Sequence, residues 1–193
     1  MSVLVEAFGD VDATPYRGEK AQVSGARADR RREHATVRAC ARRALISLGH
    51  TPAPILTDAD GAPQWPTGVV GSLTHCDGYR AAILAPTAEL AGLGIDAEPH
   101  AGLDAELWEH ILDADERLEL TALAAVDDDV HWDRVAFCAK DAAYKAVPRR
   151  SRGWRRWVRT SQATPPAGRV TNSASFCSVG LAGTEAYLLD RPG

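Results

Sequence analysis

The segment Gly94-Ile-Asp-Ala-Glu-Pro99 constrains the fold of this 193-residue chain more than any other stretch. It is apolar up to Ile95 and is stopped by Pro99, so it reads as a short strand ending at a turn. Side chains alternate along a strand, which puts Asp96 and Glu98 on one face and Ala97 on the other. Downstream, Phe137-Cys-Ala-Lys-Asp-Ala-Ala-Tyr-Lys145 reads as a helix in which Asp141 and Lys145 lie four apart and share a face. Asp96, Glu98 and Asp141, with Lys140 and Lys145, could hold a divalent cation against a phosphate-rich ligand once the fold gathers them. Each motif also has an ordinary reading. Two acids at a strand end are more often a solvated turn, and an Asp–Lys pair at this spacing is more often a surface ion pair.

Around these two motifs the chain divides into short elements. Residues 1–26 hold a weak apolar start, Val3 to Phe8, and then a Gly/Asp/Pro-containing loop. Residues 27–48 read as a helix with Val37, Cys40, Ala41, Ala44, Leu45 and Leu48 at core spacing, ended by Gly49. The stretch 50–68 carries four prolines and reads as loop. Strands are expected near 69–74, 79–85 and 91–96, helices near 103–112, 115–125 and 130–146, and two further strands near 175–181 and 185–189. Past residue 147, Arg149 to Arg159 crowd around Trp154 and Trp157, which reads either as a contact for an acidic partner or as a flexible basic tail.

Bulk properties exclude several classes. At 45% hydrophobic the chain can bury a core as one domain or two small ones. A net charge of −4 argues against a surface built for nucleic acid. No apolar run is long enough to span a bilayer, and the first residues lack a signal-peptide layout, so a cytoplasmic protein is expected. Cys40, Cys76, Cys138 and Cys177 are widely spaced and read as reduced thiols. Lysine occurs only at 20, 140 and 145, in a chain that otherwise uses arginine, and two of the three fall in the candidate site.

Trp65-Pro66, Gly71-Ser-Leu-Thr-His-Cys76, Gly94 to Pro99, and Trp132-Asp-Arg-Val-Ala-Phe-Cys-Ala-Lys140 continuing to Ala146 occur in that order. Over roughly residues 27 to 147 the chain resembles the phosphopantetheinyl transferases of the surfactin-synthetase-activating, enterobactin-synthetase-component-D-like type. Within that family it is most similar to the branch serving siderophore and actinobacterial lipid synthesis. The resemblance implies an α+β (α/β) fold of two similar subdomains, residues 1–99 and 100–193, related by a pseudo-twofold axis with the site in the cleft between them. It implies transfer of the 4'-phosphopantetheine arm of coenzyme A to a serine of an apo acyl or peptidyl carrier protein, releasing 3',5'-ADP, by a monomer without nucleic-acid or membrane partners.

The resemblance also distributes roles. Asp96, Glu98 and Asp141 match the positions that ligate Mg²⁺, and Mn²⁺ accepts the same oxygen donors. Asp141 is the expected base for the carrier serine. Lys145 is expected at the departing phosphate and Lys140 at the diphosphate. Thr74 and His75 are expected beside the nucleotide, although a lone His after a strand is more often a structural hydrogen-bonder. Arg30 and Arg38 match positions that grip the 3'-phosphate, where a planar guanidinium suits the geometry.

Three departures bear on activity. Glutamate is usual where this chain has Asp141, and retreat of a catalytic group by roughly 1 Å can cost ~10²-fold in rate. Thr57, in Pro54-Ile-Leu-Thr57, stands where a phosphate-contacting lysine is frequent. After Val147 the sequence leaves the family pattern, through divergence or a shifted reading frame. A degenerate relative that binds coenzyme A but transfers poorly is therefore the second expectation.

Overall fold

Helix and sheet meet first at a seam of small side chains. The computed structural model describes residues 1–146 together with the strands Phe176–Ala182 and Glu185–Leu188. The long helix Ala28–Ser47 (α2) turns Val37, Cys40, Ala41, Ala44 and Leu45 inward, the three-and-four spacing of one helical stripe. Gly49, at φ +81°, ends it in the left-handed conformation that glycine adopts without strain. This stripe covers a sheet of three strands, β1 (Val3–Phe8), β2 (Val69–Cys76) and β3 (Tyr79–Pro86), in the order β1-β3-β2 with both ladders antiparallel. Ala7, Val69, Ala82 and Leu84 from the strands close on Cys40, Ala44, Leu45 and Ile55.

The opposite face of that sheet is covered by β4 (Leu93–Pro99). Its Leu93, Ile95 and Ala97 pack with Ala81, Ile83 and Ala85 of β3 in a second apolar cluster. β4 begins another antiparallel sheet, ordered β4-β5-β6, with β5 (Phe176–Ala182) and β6 (Glu185–Leu188). Strand alternation thus sorts β4 cleanly: odd residues go to the core, and Gly94, Asp96 and Glu98 face helix α5 (Trp132–Ala146). Val135, Cys138 and Ala142 of α5 are buried with Val130. Ala136 of the same helix packs on Leu112 and Leu120, beside α3 (Ala105–Ile111) and α4 (Ala114–Ala124).

Every ladder between described strands is antiparallel, with helices laid on the sheets, so the α+β part of the expected class holds. The expected helices and strands fall within a few residues of those observed. One element was not expected. Residues 17–22 form a short helix, α1 (Arg17–Gln22), inside the stretch read as a loop. Six residues show no apolar periodicity; the turn is instead fixed by a buried carboxylate. Glu19 accepts from the backbone N–H of Tyr16 at 2.9 Å and of Ile55 at 2.9 Å, and from Arg42 at 2.8 Å. The Arg149–Arg159 segment lies outside the described residues. Among the described residues no helix is long and apolar enough to cross a membrane, and Cys40, Cys76 and Cys138 are buried.

Candidate active site

Two glycines decide how close α5 comes to β4. A Cβ placed on Gly94 would stand 1.9 Å from the carbonyl oxygen of Ala142, and one on Gly92 would stand 1.9 Å from that of Ala146. Real atoms never approach so closely, so this helix backbone rests directly on the strand because neither position has a side chain. Asp141 and Lys145 lie on either side of Ala142 in sequence and are carried to the even face of β4 by that contact.

There the Lys145 ammonium bridges two carboxylates. Its Nζ lies 2.7 Å from Asp96 Oδ1 and 2.8 Å from Asp141 Oδ2, and donates to the carbonyl of Ile95 at 3.2 Å. The Thr74 hydroxyl donates to Asp96 Oδ1 at 3.3 Å and accepts from the N–H of Ala97 at 2.9 Å, tying β2 to β4. Asp96 is 5% exposed, and its second oxygen, Oδ2, is buried without a hydrogen-bond partner among the described residues. Burial pushes the Asp96 carboxyl up to about 6, against the opposing pull of Lys145. Burial works to lower the Lys145 ammonium, but Asp96 and Asp141 outweigh it and hold the group above its ordinary value. At neutral pH the cluster is a partly buried ion triad.

Glu98 shares the strand face but has a different partner. Its Oε2 lies 3.5 Å from Nη1 of Arg134, on the first turn of α5. Among the described residues, no group of three His, Cys, Asp or Glu side chains is already close enough to hold a metal. Asp96 and Asp141 meet through Lys145, and Glu98 is held beside them by its own cation. Lys140 is not brought to this cluster. Its ammonium donates to the Ile111 carbonyl at 2.7 Å and to Glu116 at 2.7 Å, fastening α5 to α4, because a five-residue step turns it well away from Lys145 on the helix.

One edge of the cluster leads along β2 from Thr74 to His75. Arg30 of α2 donates from Nη1 to Nε2 of His75, which therefore serves as the acceptor nitrogen. Burial and then the Arg30 charge lower the His75 imidazole to about 4, so it is neutral at pH 7. Arg30 also pairs with Glu33 at 3.2 Å, and Glu33 pairs with Arg80 at 3.2 Å. Arg38 is almost wholly buried. It donates to the Ile55 carbonyl at 3.4 Å and to the Thr57 hydroxyl at 3.0 Å, and burial lowers it to about 10, still charged. Arg38 and Thr57 thus occupy one another where the sequence comparison placed a lysine.

Sequence reasoning missed four contributors. Gly92, just ahead of β4, and Gly94 within it stand two apart in phase with Asp96, and that spacing was a readable sign of close backbone approach. Arg134 and Glu116 gave no such sign, since a charged residue on a helix reads as solvated until its partner's position is known.

At the even face of β4, carboxylates are thus clamped by Lys145, with Thr74 and a neutral His75 of β2 and the Arg30 guanidinium beside them. Similarity to known proteins identifies the family. Residues 18–85 match the 4'-phosphopantetheinyl transferase N-terminal domain, and residues 92–185 match the 4'-phosphopantetheinyl transferase superfamily. The chain belongs to this superfamily and is of the actinobacterial type. It is 46% identical over 149 residues to the 4'-phosphopantetheinyl transferase Svp of Streptomyces mobaraensis, covering 75% of this chain and 61% of that one. It is 47% identical over 135 residues to 4'-phosphopantetheinyl transferase PptT of Mycobacterium tuberculosis, covering 69% and 58%. A more distant relative, enterobactin synthase component D of Salmonella typhi, is 32% identical over 117 residues, covering 61% and 48%. The chain spans about three fifths of the length of Svp and PptT.

Proposed function

We propose that this protein transfers 4'-phosphopantetheine from coenzyme A to a serine hydroxyl of an apo acyl or peptidyl carrier protein, releasing 3',5'-ADP. The observation that carries the reading is the Lys145 ammonium held between Asp96 and Asp141, on a helix pressed against β4 by Gly92 and Gly94. In that place Lys145 can meet the phosphate that leaves as the serine oxygen bonds to the pantetheine-bearing phosphorus. Asp141, exposed by more than a third of its side chain, is placed to accept the serine proton. Arg30, Thr74 and His75 lie on the nucleotide side, with Arg38 fixing the loop at 55–57 from beneath.

The donor set fits a divalent cation. Asp96 offers a buried oxygen that lacks a partner among the described residues, and Asp96 and Asp141 already converge on one positive charge. Asp96, Glu98 and Asp141 would hold Mg²⁺ through hard oxygen donors, and the ion would supply neutralisation of the diphosphate charge. Asp141 reaches Lys145 despite being one methylene shorter than the usual glutamate, which favours an active enzyme over a degenerate one. The subdomain division is 1–99 and 100–193, and the order strand, long helix, strand hairpin runs twice along the chain, β1-α2-β2-β3 and then β4-α5-β5-β6, as a pseudo-twofold relation requires, with β4 the last strand of the first part. A monomer in the cytoplasm, serving siderophore or other secondary-metabolite synthesis, completes the reading.

The test is intact-mass spectrometry of apo carrier proteins incubated with this protein, coenzyme A and Mg²⁺. A gain of one phosphopantetheine that disappears with chelator supports the reading. A folded protein that binds coenzyme A and leaves several carriers unmodified refutes it in favour of the degenerate form.

A further inference from the structure

Arg134 belongs to the opening turn of α5, yet its side chain spans two places. Nε donates to the carbonyl of Ala101 at 2.9 Å and Nη2 to that of Gly102 at 3.1 Å, while Nη1 reaches Glu98 Oε2 at 3.5 Å. Its guanidinium carbon lies 5.9 Å from the centre of the Phe137 ring, one turn along the helix. The neighbouring Asp133 works on the same turn from the other side, accepting from the N–H of Leu103 at 2.5 Å and from Trp108 Nε1 at 3.0 Å. Two consecutive residues therefore stitch the 100–103 connection to α5, but Arg134 is the one that also holds a carboxylate of the site.

We propose that Arg134 is a positioning residue that orients Glu98 as a metal ligand; the inference rests on the metal reading above. Glu98 is the last even residue of β4 before Pro99, and its three side-chain torsions would otherwise leave the carboxylate free to rotate into solvent. The planar fork of Arg134, fixed by two backbone carbonyls, presents its third N–H at a set height above the strand end. One Glu98 oxygen is thereby occupied by Arg134, and the carboxylate keeps its second oxygen as a donor for the ion. Partners of this kind, one shell removed from the ion, typically change metal affinity by ~10–100-fold when lost. Lysine could supply the charge but not three divergent donors in one plane.

The experiment is Mn²⁺ binding to the full chain without coenzyme A, followed by the electron-spin-resonance signal of free Mn²⁺, in wild type, Arg134→Gln, Asp133→Asn and Asp96→Asn. Wild type should bind one Mn²⁺ and Asp96→Asn should lose it. Arg134→Gln should weaken binding at least tenfold, and Asp133→Asn, which loosens the same connection without touching Glu98, should leave affinity unchanged. Equal or tighter affinity in Arg134→Gln, or an equal loss in Asp133→Asn, overturns the assignment while leaving the metal reading intact. A wild type that binds no Mn²⁺ overturns both. Arg134→Lys, with charge but no fork, gives the same comparison should Arg134→Gln fail to fold.

Discussion

Replacing Gly94 by alanine adds a single methyl group and should disable the site from beneath. The new Cβ would meet the Ala142 carbonyl oxygen at 1.9 Å, its carbon at 2.8 Å and the Ala146 nitrogen at 2.9 Å. All three are backbone atoms of α5, so no rotamer change can relieve the clash. Bringing the oxygen to an ordinary contact near 3.4 Å moves helix and strand apart by about 1.5 Å (3.4 less 1.9). Asp141 and Lys145 travel with the helix, so the 2.7 Å contact between Lys145 and Asp96 opens beyond direct ion-pair distance. Overpacking of this kind costs ~1–3 kcal/mol of stability, and a displacement of roughly 1 Å in catalytic groups costs ~10²-fold in rate. Urea unfolding and carrier-modification rates, measured at a urea-free temperature where the variant is folded, separate the two effects. Gly102→Ala is the control, because its Cβ would meet nothing nearer than 3.7 Å. A Gly94→Ala protein with wild-type rate and urea midpoint would refute the claim that close approach of α5 builds the site.

Lys145→Met should reduce carrier modification by at least ~10²-fold and also lower stability, since it removes the cation shared by Asp96 and Asp141 and leaves Asp96 buried without its counter-ion; initial rates by intact mass, taken where urea unfolding shows the variant folded, decide it. Glu19→Gln should cost ~3–5 kcal/mol in urea unfolding, because Arg42, largely buried beside it, loses its counter-charge; a loss below 1 kcal/mol would mean solvent reaches Arg42. Acid should destabilise the protein through His34 and His75, both lowered from 6.5 to about 4, chiefly by burial. The unfolded chain binds the extra protons, so stability is whole above pH 6.5 and is lost as pH falls toward 4, by about 1–2 kcal/mol for each group. Urea midpoints at pH 7 and pH 5 should differ less in His34→Gln than in wild type.

What the sequence disclosed follows from the range of the forces involved. Helix α2 was readable because its stripe from Val37 to Leu45 repeats at helical spacing, a pattern carried by neighbours in the chain. β4 was readable for the same reason at a period of two, and the facing of Asp96 with Glu98 came with it. Helix α1 was not, because what holds it is a carboxylate at Glu19 answering Arg42 and Ile55, 23 and 36 residues away. Lys140 shows the complementary limit. Its position beside Asp141 in sequence put it in the site, but its helical azimuth and the buried Glu116 of α4 take it elsewhere. Local spacing reports which face a side chain is on; only the packed partner reports what that face meets.

That distinction explains how the site is stabilised. Burying Asp96 without a counter-ion would be costly, and placing Glu98 and Asp141 on the same side adds like-charge repulsion. The chain answers with cations drawn from a single helix: Lys145 from its last turn for Asp96 and Asp141, and Arg134 from its first turn for Glu98. Both cations therefore depend on one rigid body, whose position on β4 is set by two glycines. A helix that shifted would unpair all three carboxylates together, so geometry and electrostatics in this site fail or hold as a unit. The odd face of β4 anchors the arrangement from the other side, with Leu93, Ile95 and Ala97 locked into the β3 core. A strand whose two faces are committed in this way cannot slip by one residue without burying acids and exposing its apolar set. The register that makes the fold is the register that makes the chemistry.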